Sequence, residues 1–163
     1  MKIKEVKIQL NIYNSVEELS VSDGALVLAA RRATATAYAP YSNFKVGAAV
    51  LLSNGETISG SNQENAATPA GICAERTALN WIGANRAEHS IVCIAISAIN
   101  QQGEPASGLS PCGICRQALV EFQNRQKHPI RILLDNKEGI TEISNALDIL
   151  PLSFDASSLK SPL

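Results

Sequence analysis

Three of the four cysteines stand where their sulfurs could bind one metal ion. Cys112 and Cys115 are three residues apart in SPCGICRQAL, so both sulfurs would face one side of a helix's first turn. Cys73 opens a second predicted helix, in GICAERTAL. Structural zinc sites use four protein ligands, whereas catalytic sites use three and leave one position for water or substrate. The three cysteines therefore predict a catalytic zinc site, with a redox dithiol at Cys112 and Cys115 as the alternative.

Glu75 follows Cys73 by two residues and could move protons at such a site. From the first helical turn, its carboxylate could reach a water in the open position and act as a proton shuttle. The alternative is that Glu75 only complements the helix dipole. Three thiolates would also leave the site with negative charge, which Arg76 and Arg116, beside the ligands, can stabilise.

The fourth cysteine and both histidines are poorer candidates for metal ligands. Cys93 lies in the apolar segment IVCIAI, which is typical of a small residue in the core. His89 and His128 lie in charged, loop-like segments and are expected at the surface. The predicted ligands are therefore the three clustered cysteines, which would hold one zinc ion per chain.

Alternating strands and helices are predicted around these residues, and they bring the two helix starts to one end of a sheet. Asn54 and Gly55 join two strand-like runs, FKVGAAVLL and ETISGSN, as a tight hairpin. Apolar runs at 90–99 and 130–135 predict two buried strands, and a short strand follows near GITEIS. A helix from about Asp23 precedes the hairpin. This alternation predicts parallel strand pairing in an α/β layered domain.

Composition and charge argue against several classes of protein. The chain of 163 residues has a formal net charge of −1 and no basic run that would bind nucleic acid. No segment has the roughly 18 consecutive apolar residues that span a bilayer, and the first residues do not resemble a signal peptide. We therefore expect a cytoplasmic protein with reduced cysteines that binds neither nucleic acid nor membrane. Charged residues are 18% of the chain, below the roughly 25% of an average soluble protein, which favours some surface being covered by other subunits.

Taken together, the motifs resemble the cytidine deaminases that act on free nucleosides. Cys-Ala-Glu followed by Pro-Cys-x-x-Cys fits the zinc deaminase pattern of three zinc ligands, an activated water and a glutamate that is not a ligand. The resemblance runs from about Asp23 to about Leu159. Five ordered blocks carry it: AYAPYSNFKVGAAV, GSNQENA, GICAERTAL, SPCGICRQAL and LPLSF.

The resemblance implies a role for each residue near the metal. Cys73, Cys112 and Cys115 would bind zinc, Glu75 would be the proton shuttle, and Arg76 would contact the ligand sulfurs. The implied reaction is the hydrolytic deamination of cytidine and deoxycytidine to uridine and deoxyuridine, with release of ammonia, in pyrimidine salvage. The implied alternatives are deamination of a related amino-pyrimidine nucleoside such as blasticidin S, or a zinc-stabilised binding module without catalysis.

The resemblance also implies residues that bind the nucleoside. Asn62 and Glu64, in the N-x-E-N block, would hold the ribose hydroxyls, although a polar turn after the hairpin would explain the same residues. Phe44 would line the pocket, and Phe154 would reach the base in a neighbouring subunit's site. The implied assembly is therefore a homotetramer with shared active sites.

For the fold, the resemblance implies a three-layer α/β/α domain of the cytidine deaminase type with a central mixed sheet. We assign this domain to residues 23–163 and an N-terminal extension to residues 1–22, where alternating apolar residues at 3–12 predict an extended arm or edge strand. Two positions depart from the family. Thr68 stands where a tyrosine is common, and Lys45 stands where a proline commonly follows the pocket phenylalanine. The departure at Thr68 affects contacts in the pocket wall, and neither departure touches the zinc ligands, the proton shuttle or the ribose-binding pair.

Overall fold

Six strands and three helices make up the chain in the computed structural model, which describes residues 1–157 and Leu159. The strands are β1 (Asn11–Tyr13), β2 (Lys45–Leu52), β3 (Thr57–Ser61), β4 (Ile91–Ile99), β5 (Arg131–Asn136) and β6 (Gly139–Ile143). The helices are α1 (Val21–Ala33), α2 (Ala74–Asn85) and α3 (Gly113–Gln126). The strands form one sheet in the order β1-β6-β5-β4-β2-β3. None of the described helices is long and apolar enough to cross a membrane.

The sheet is mixed, as the resemblance implies, and the parallel pairing predicted for strands separated by a helix is confirmed for β4 and β5, which flank α3. Among the described strands, the other neighbouring pairs, β2–β3, β2–β4, β5–β6 and β1–β6, are antiparallel. The antiparallel pairing of β4 with β2 follows from the hairpin. Because the turn after β2 reverses the chain before α2 begins, β4 runs in the direction of β3 and opposite to its neighbour β2. The turn itself places Gly55 at φ +86°, while the Asn54 side chain accepts a hydrogen bond from the Glu56 N–H.

Two cores lie on opposite faces of the sheet and confirm the three-layer architecture. On one face, α1 packs its buried side chains Leu26, Val27 and Ala30 against β2, β4 and β5. On the other face, α2 and α3 pack theirs, chiefly Ala78, Leu79, Ile82 and Leu119, against the same strands. The two helices that begin at cysteines therefore share one face of the sheet.

Glycines in the hairpin strands let the helix backbones lie directly on the sheet. A Cβ atom on Gly60 of β3 would lie 2.7 Å from the Ala74 carbonyl oxygen and 2.7 Å from the Ala78 nitrogen of α2. On the opposite face, a Cβ on Gly47 of β2 would overlap the Ala30 carbonyl oxygen of α1. No other residue type fits at such close approach. The first turn of α2 is thus fixed against β3 by contact between backbones.

The N-terminal segment joins the sheet through a short strand and a network of charged residues. β1 pairs with β6 at the edge of the sheet, while residues 1–10 have no regular secondary structure. The Tyr13 hydroxyl donates to Glu142 (2.7 Å), and the Arg131 guanidinium donates to both Glu142 (2.8 Å) and Asp23 (2.8 Å). This network therefore connects β1, α1, β5 and β6.

Candidate metal centre

The two cysteine-containing helices bring three sulfurs together on one face of the sheet. Cys73 is the N-cap of α2 and Cys112 is the N-cap of α3, each with extended backbone, and Cys115 lies in the first turn of α3. The three Sγ atoms all lie within 4.8 Å of one another, and those of Cys73 and Cys112 are 3.7 Å apart. The prediction that Cys73 and Cys112 open helices is confirmed.

The donor set fits zinc. With Zn–S bonds of about 2.3 Å, two thiolates on one tetrahedral ion lie about 3.8 Å apart, close to the separation of Cys73 and Cys112. Both sulfurs stand at helix N-termini, where the backbone N–H groups favour negative charge. Among the described residues, these three cysteines are the group that could hold a metal ion. Zinc is therefore the metal ion that this donor set fits.

Arg76 supplies positive charge to the sulfur cluster. Its guanidinium interacts with the Cys73 and Cys115 sulfurs, while its buried Nε atom has no hydrogen-bond partner among the described residues. Interactions with the Cys115 thiol, the Cys112 thiol and Arg76 lower the pKa of Cys73 to about 5, although burial opposes the shift. The converse interaction raises the pKa of Cys115, so Cys73 loses its proton before Cys115 does. A cation directed at thiolate sulfurs balances part of their charge.

Glu75 places a buried carboxyl beside the cluster. The residue is 4% exposed, and this burial raises the pKa of its carboxyl, with the Cys73 thiolate acting in the same direction. The carboxyl also interacts with the Cys115 thiol. A buried carboxyl with a raised pKa both accepts and releases protons near neutral pH more readily than a surface glutamate.

A cleft of about 760 Å³ opens next to the cluster. This volume lies within the range of roughly 300–1,000 Å³ that is usual for small-molecule sites. Cys73 of the sulfur cluster and Arg76 beside it line the cleft together with Asn62 and Glu64. The remaining walls include Tyr41, Thr68, Pro69 and Ile114. The Thr68 position that departs from the family is thus part of the wall.

Asn62 and Glu64 are held in the cleft by the loop before β2. The Asn62 amide accepts a hydrogen bond from the Val46 N–H (2.8 Å) and donates to the Phe44 carbonyl oxygen (2.9 Å), which uses half of its hydrogen-bonding capacity. The Glu64 carboxylate accepts from the Tyr41 N–H (2.8 Å). Hydrogen bonds from Ser42 and from the Tyr41 backbone lower the pKa of Glu64, so its carboxyl is ionised at neutral pH. An ionised carboxylate can accept hydrogen bonds from hydroxyls in the cleft.

The two predicted substrate-binding phenylalanines lie elsewhere. Among the described residues that line the cleft, neither Phe44 nor Phe154 occurs. Phe44 is 37% exposed at the start of β2, and Phe154 is 59% exposed in the segment after the last 3₁₀ turn. The structure agrees with the expectation that Cys93 and the two histidines lie outside the metal cluster. Cys93 is buried in β4, where burial raises the pKa of its thiol to about 12, and neither histidine joins the sulfur cluster.

Two residues of α3 have partners that the sequence did not predict. Arg116 donates to the Pro111 carbonyl oxygen (2.8 Å), the Ser110 hydroxyl (2.8 Å) and the Ile149 carbonyl oxygen (3.4 Å), and none of these partners is a sulfur. Gln117 donates to the Phe154 carbonyl oxygen (2.7 Å). The proposed charge balance by Arg116 is therefore wrong for this geometry. In the sequence, these contacts are indicated only by the polar type of Arg116 and Gln117, directly after Cys115.

The fold and the site together define a class of protein. Three cysteines at two helix starts, with a buried glutamate two residues after the first, form the site of a zinc-dependent deaminase. In this class the glutamate is not a ligand and acts as general acid and base. The start of α2 supplies Cys73 and Glu75, and the start of α3 supplies Cys112 and Cys115.

Comparisons with known proteins identify the family. The model of the family "Cytidine and deoxycytidylate deaminase zinc-binding region" matches residues 21–128, and the chain belongs to this family. A cytidine deaminase from Halalkalibacterium halodurans is 35% identical over 134 residues, which are 82% of this chain and 95% of that protein. The crystal structure of a cytidine deaminase from Burkholderia pseudomallei has 38% identity and a TM-score of 0.67, covering 80% of this chain and 97% of that one. A cytidine deaminase structure from Mycobacterium tuberculosis has 30% identity and a TM-score of 0.62.

Proposed function

We propose that this protein removes the exocyclic amine of cytidine and deoxycytidine by hydrolysis, which yields uridine and deoxyuridine and releases ammonia. The reaction would serve pyrimidine salvage. The observation that carries the proposal is the buried carboxyl of Glu75 beside a three-sulfur cluster that opens into a cleft. The relatives named cytidine deaminase support the choice of substrate, because the chain spans nearly their full length.

Glu75 is the residue that moves protons in this reaction. When bound, zinc acts as a Lewis acid that makes a water molecule nucleophilic near neutral pH. The Glu75 carboxylate takes a proton from the attacking water and gives it to N3 of the cytosine ring, which makes C4 electrophilic. After the C4–O bond forms, Glu75 takes the second proton from the new hydroxyl on C4 and delivers it to the amine, and the C4–N4 bond breaks. Water and cytidine thus give uridine and ammonia.

The cleft residues orient the nucleoside. The ionised carboxylate of Glu64 and the remaining hydrogen-bonding capacity of Asn62 suit the ribose hydroxyls, which free cytosine lacks. Phe44 and Phe154 are exposed aromatic side chains that can pack against a pyrimidine from the loop before β2 and from a neighbouring chain. Cytidine should therefore be a better substrate than cytosine.

The assembly that we propose is a homotetramer, located in the cytoplasm. The exposed side chains of Leu152 (95%) and Phe154 (59%) support contact with another copy of the chain. The cytoplasm is a compartment in which thiols stay reduced, as ligands of this kind require. Light scattering after size-exclusion chromatography measures the number of chains, and a monomer at working concentration would overturn the tetramer.

Zinc content and ammonia release together test the proposed function. We expect one zinc ion per chain and ammonia release from cytidine and deoxycytidine, with little from cytosine or blasticidin S. Glu75→Gln keeps the size of the side chain, and we expect it to retain zinc while lowering turnover by at least about 100-fold. Glu121→Gln, on the exposed face of α3, is the matched control.

Each other outcome of this assay contradicts a stated part of the proposal. Near-normal turnover by Glu75→Gln would exclude Glu75 as the proton shuttle. Efficient release of ammonia from blasticidin S alone would identify a different amino-pyrimidine as the substrate. Zinc without deamination of any of the four compounds would identify a binding module instead of an enzyme.

A further inference from the structure

The segment after the last 3₁₀ turn, residues 150–154, runs past the first turn of α3 and is attached there at both ends. At its start, the Arg116 guanidinium donates to the carbonyl oxygen of Ile149 (3.4 Å). At its end, the Gln117 side-chain amide donates to the carbonyl oxygen of Phe154 (2.7 Å). Two consecutive side chains of one helix therefore hold the two ends of this segment.

The segment has little else to hold it in place. Residues 150–154 form neither helix nor strand. In the part of the chain that the structure describes, residues 151–154 make one hydrogen bond to another element, and that bond comes from Gln117. Leu152 is 95% exposed and Phe154 is 59% exposed, so packing within the chain restrains their side chains weakly. Among the described residues, the hydrogen bond that holds Phe154 thus comes from the Gln117 amide.

Gln117 lies close along α3 to two of the proposed metal ligands. Cys112 caps α3 and Cys115 lies in its first turn, two residues before Gln117. Arg116 also fixes the approach to Cys112, because it donates to Ser110 and Pro111 directly before that ligand. The N-terminal end of α3 therefore carries both two of the sulfurs and the two side chains that bind the segment.

We propose that Gln117 is a positioning residue that fixes the segment 150–154, with Phe154, on the N-terminal end of α3, with Arg116 as the second anchor. This role rests on the proposed function, in which Phe154 packs against the pyrimidine bound by a neighbouring chain. Loss of the Gln117 amide frees the Phe154 end of the segment and leaves the sulfurs, Glu75 and Arg76 in place. The effect falls on nucleoside binding and spares the proton transfers.

The test uses substitutions that change the hydrogen-bond donor at position 117. Gln117→Leu keeps the size and removes the donor, and we expect KM for cytidine to rise about 2- to 10-fold, the effect of one lost hydrogen bond, with kcat changed less than about twofold. Gln117→Lys restores a donor and should recover most of the loss. Asn124→Ala, on the exposed surface of α3, is the control and should leave both constants unchanged.

Amide hydrogen exchange provides a readout that does not require catalysis. In the zinc-loaded Gln117→Leu protein we expect faster exchange in peptides covering residues 150–157, with unchanged exchange in α3 and unchanged zinc content. An unchanged KM together with unchanged exchange in Gln117→Leu would overturn the positioning role. So would a fall in kcat with loss of zinc, which would mean that Gln117 supports the ligands. If the unmodified enzyme deaminates no nucleoside, the proposed function fails, whereas the exchange result still decides whether Gln117 anchors the segment.

Discussion

Replacing Arg131 by methionine should destabilise the protein, because Arg131 neutralises two carboxylates that have little access to water. The guanidinium lies 2.8 Å from Asp23 and 2.8 Å from Glu142, whose side chains are 12% and 9% exposed, while that of Arg131 is 33% exposed. Removing one partner of a buried ion pair costs about 3–5 kcal/mol. Since Arg131 is partly solvated and Tyr13 still donates to Glu142, we expect about 3 kcal/mol.

The cost should depend on pH. Burial alone would raise the pKa of Glu142, but hydrogen bonds from Tyr13, Arg131 and Asn11 outweigh it and lower this pKa below 4.5. A group with a lowered pKa stabilises the folded state above its unfolded pKa, and this contribution disappears as the pH falls through the folded value. In Arg131→Met, Glu142 lacks the guanidinium, so burial raises its pKa and the variant gains stability relative to wild type on acidification. The difference between the two proteins should therefore shrink from pH 7 to below about pH 4.5.

Urea unfolding at one protein concentration measures this difference at pH 7 and pH 4. Arg32→Met is the matched control, because Arg32 is an exposed arginine of α1 for which the described chain shows no ion pair. Arg131→Lys should recover part of the loss, since an ammonium group cannot bridge two carboxylates as a guanidinium does. A loss below about 1 kcal/mol at pH 7, or an equal loss at both pH values, would refute this account of the network.

Three further changes test the metal side of the molecule. Arg76→Ala removes the cation beside the sulfurs and should weaken zinc binding about 10- to 100-fold in a chelator competition; unchanged affinity would mean that the helix N-termini balance the charge alone. Gly60→Ala should lower the free energy of unfolding by about 1–3 kcal/mol and also lower zinc affinity, because the new Cβ would lie 2.7 Å from the Ala74 carbonyl oxygen. Gly24→Ala is the control, since its Cβ would lie 3.4 Å from the Val16 side chain. Cys93→Ala should keep one zinc per chain, and loss of zinc would place Cys93 among the ligands.

Local sequence patterns predicted the parts of the fold that depend on neighbouring residues. The hairpin turn at Gly55 and the strands β4 and β5 follow from turn chemistry and apolar runs, and the starts of α2 and α3 follow from the residues around Cys73 and Cys112. The cluster of three sulfurs was predictable because two helix starts on one sheet face can meet. These features need no knowledge of distant contacts.

Features that depend on long-range contacts were predicted less well. Of the alternating segment 3–12, only residues 11 and 12 lie in a strand, as part of β1 (Asn11–Tyr13). The alternation of strands and helices did not predict that β4 pairs antiparallel with β2, which results from the hairpin before α2. The Arg116 guanidinium was assigned to the sulfurs, yet its acceptors lie in the segments around Pro111 and Ile149 that the sequence alone does not place. Sequence periodicity reports on neighbouring residues only, so it does not predict these long-range contacts.

Direct contact between Gly60 and the first turn of α2 limits how this active site can change during evolution. Gly60 lies two residues before Asn62 of the cleft, and α2 begins directly after Cys73, so no side chain separates β3 from the first turn of α2 that could be exchanged for a longer or shorter one. The spacing of these two elements therefore cannot be adjusted by a point substitution between them. Adaptation to new nucleosides must act on the other walls, at positions such as Thr68 and Ile114.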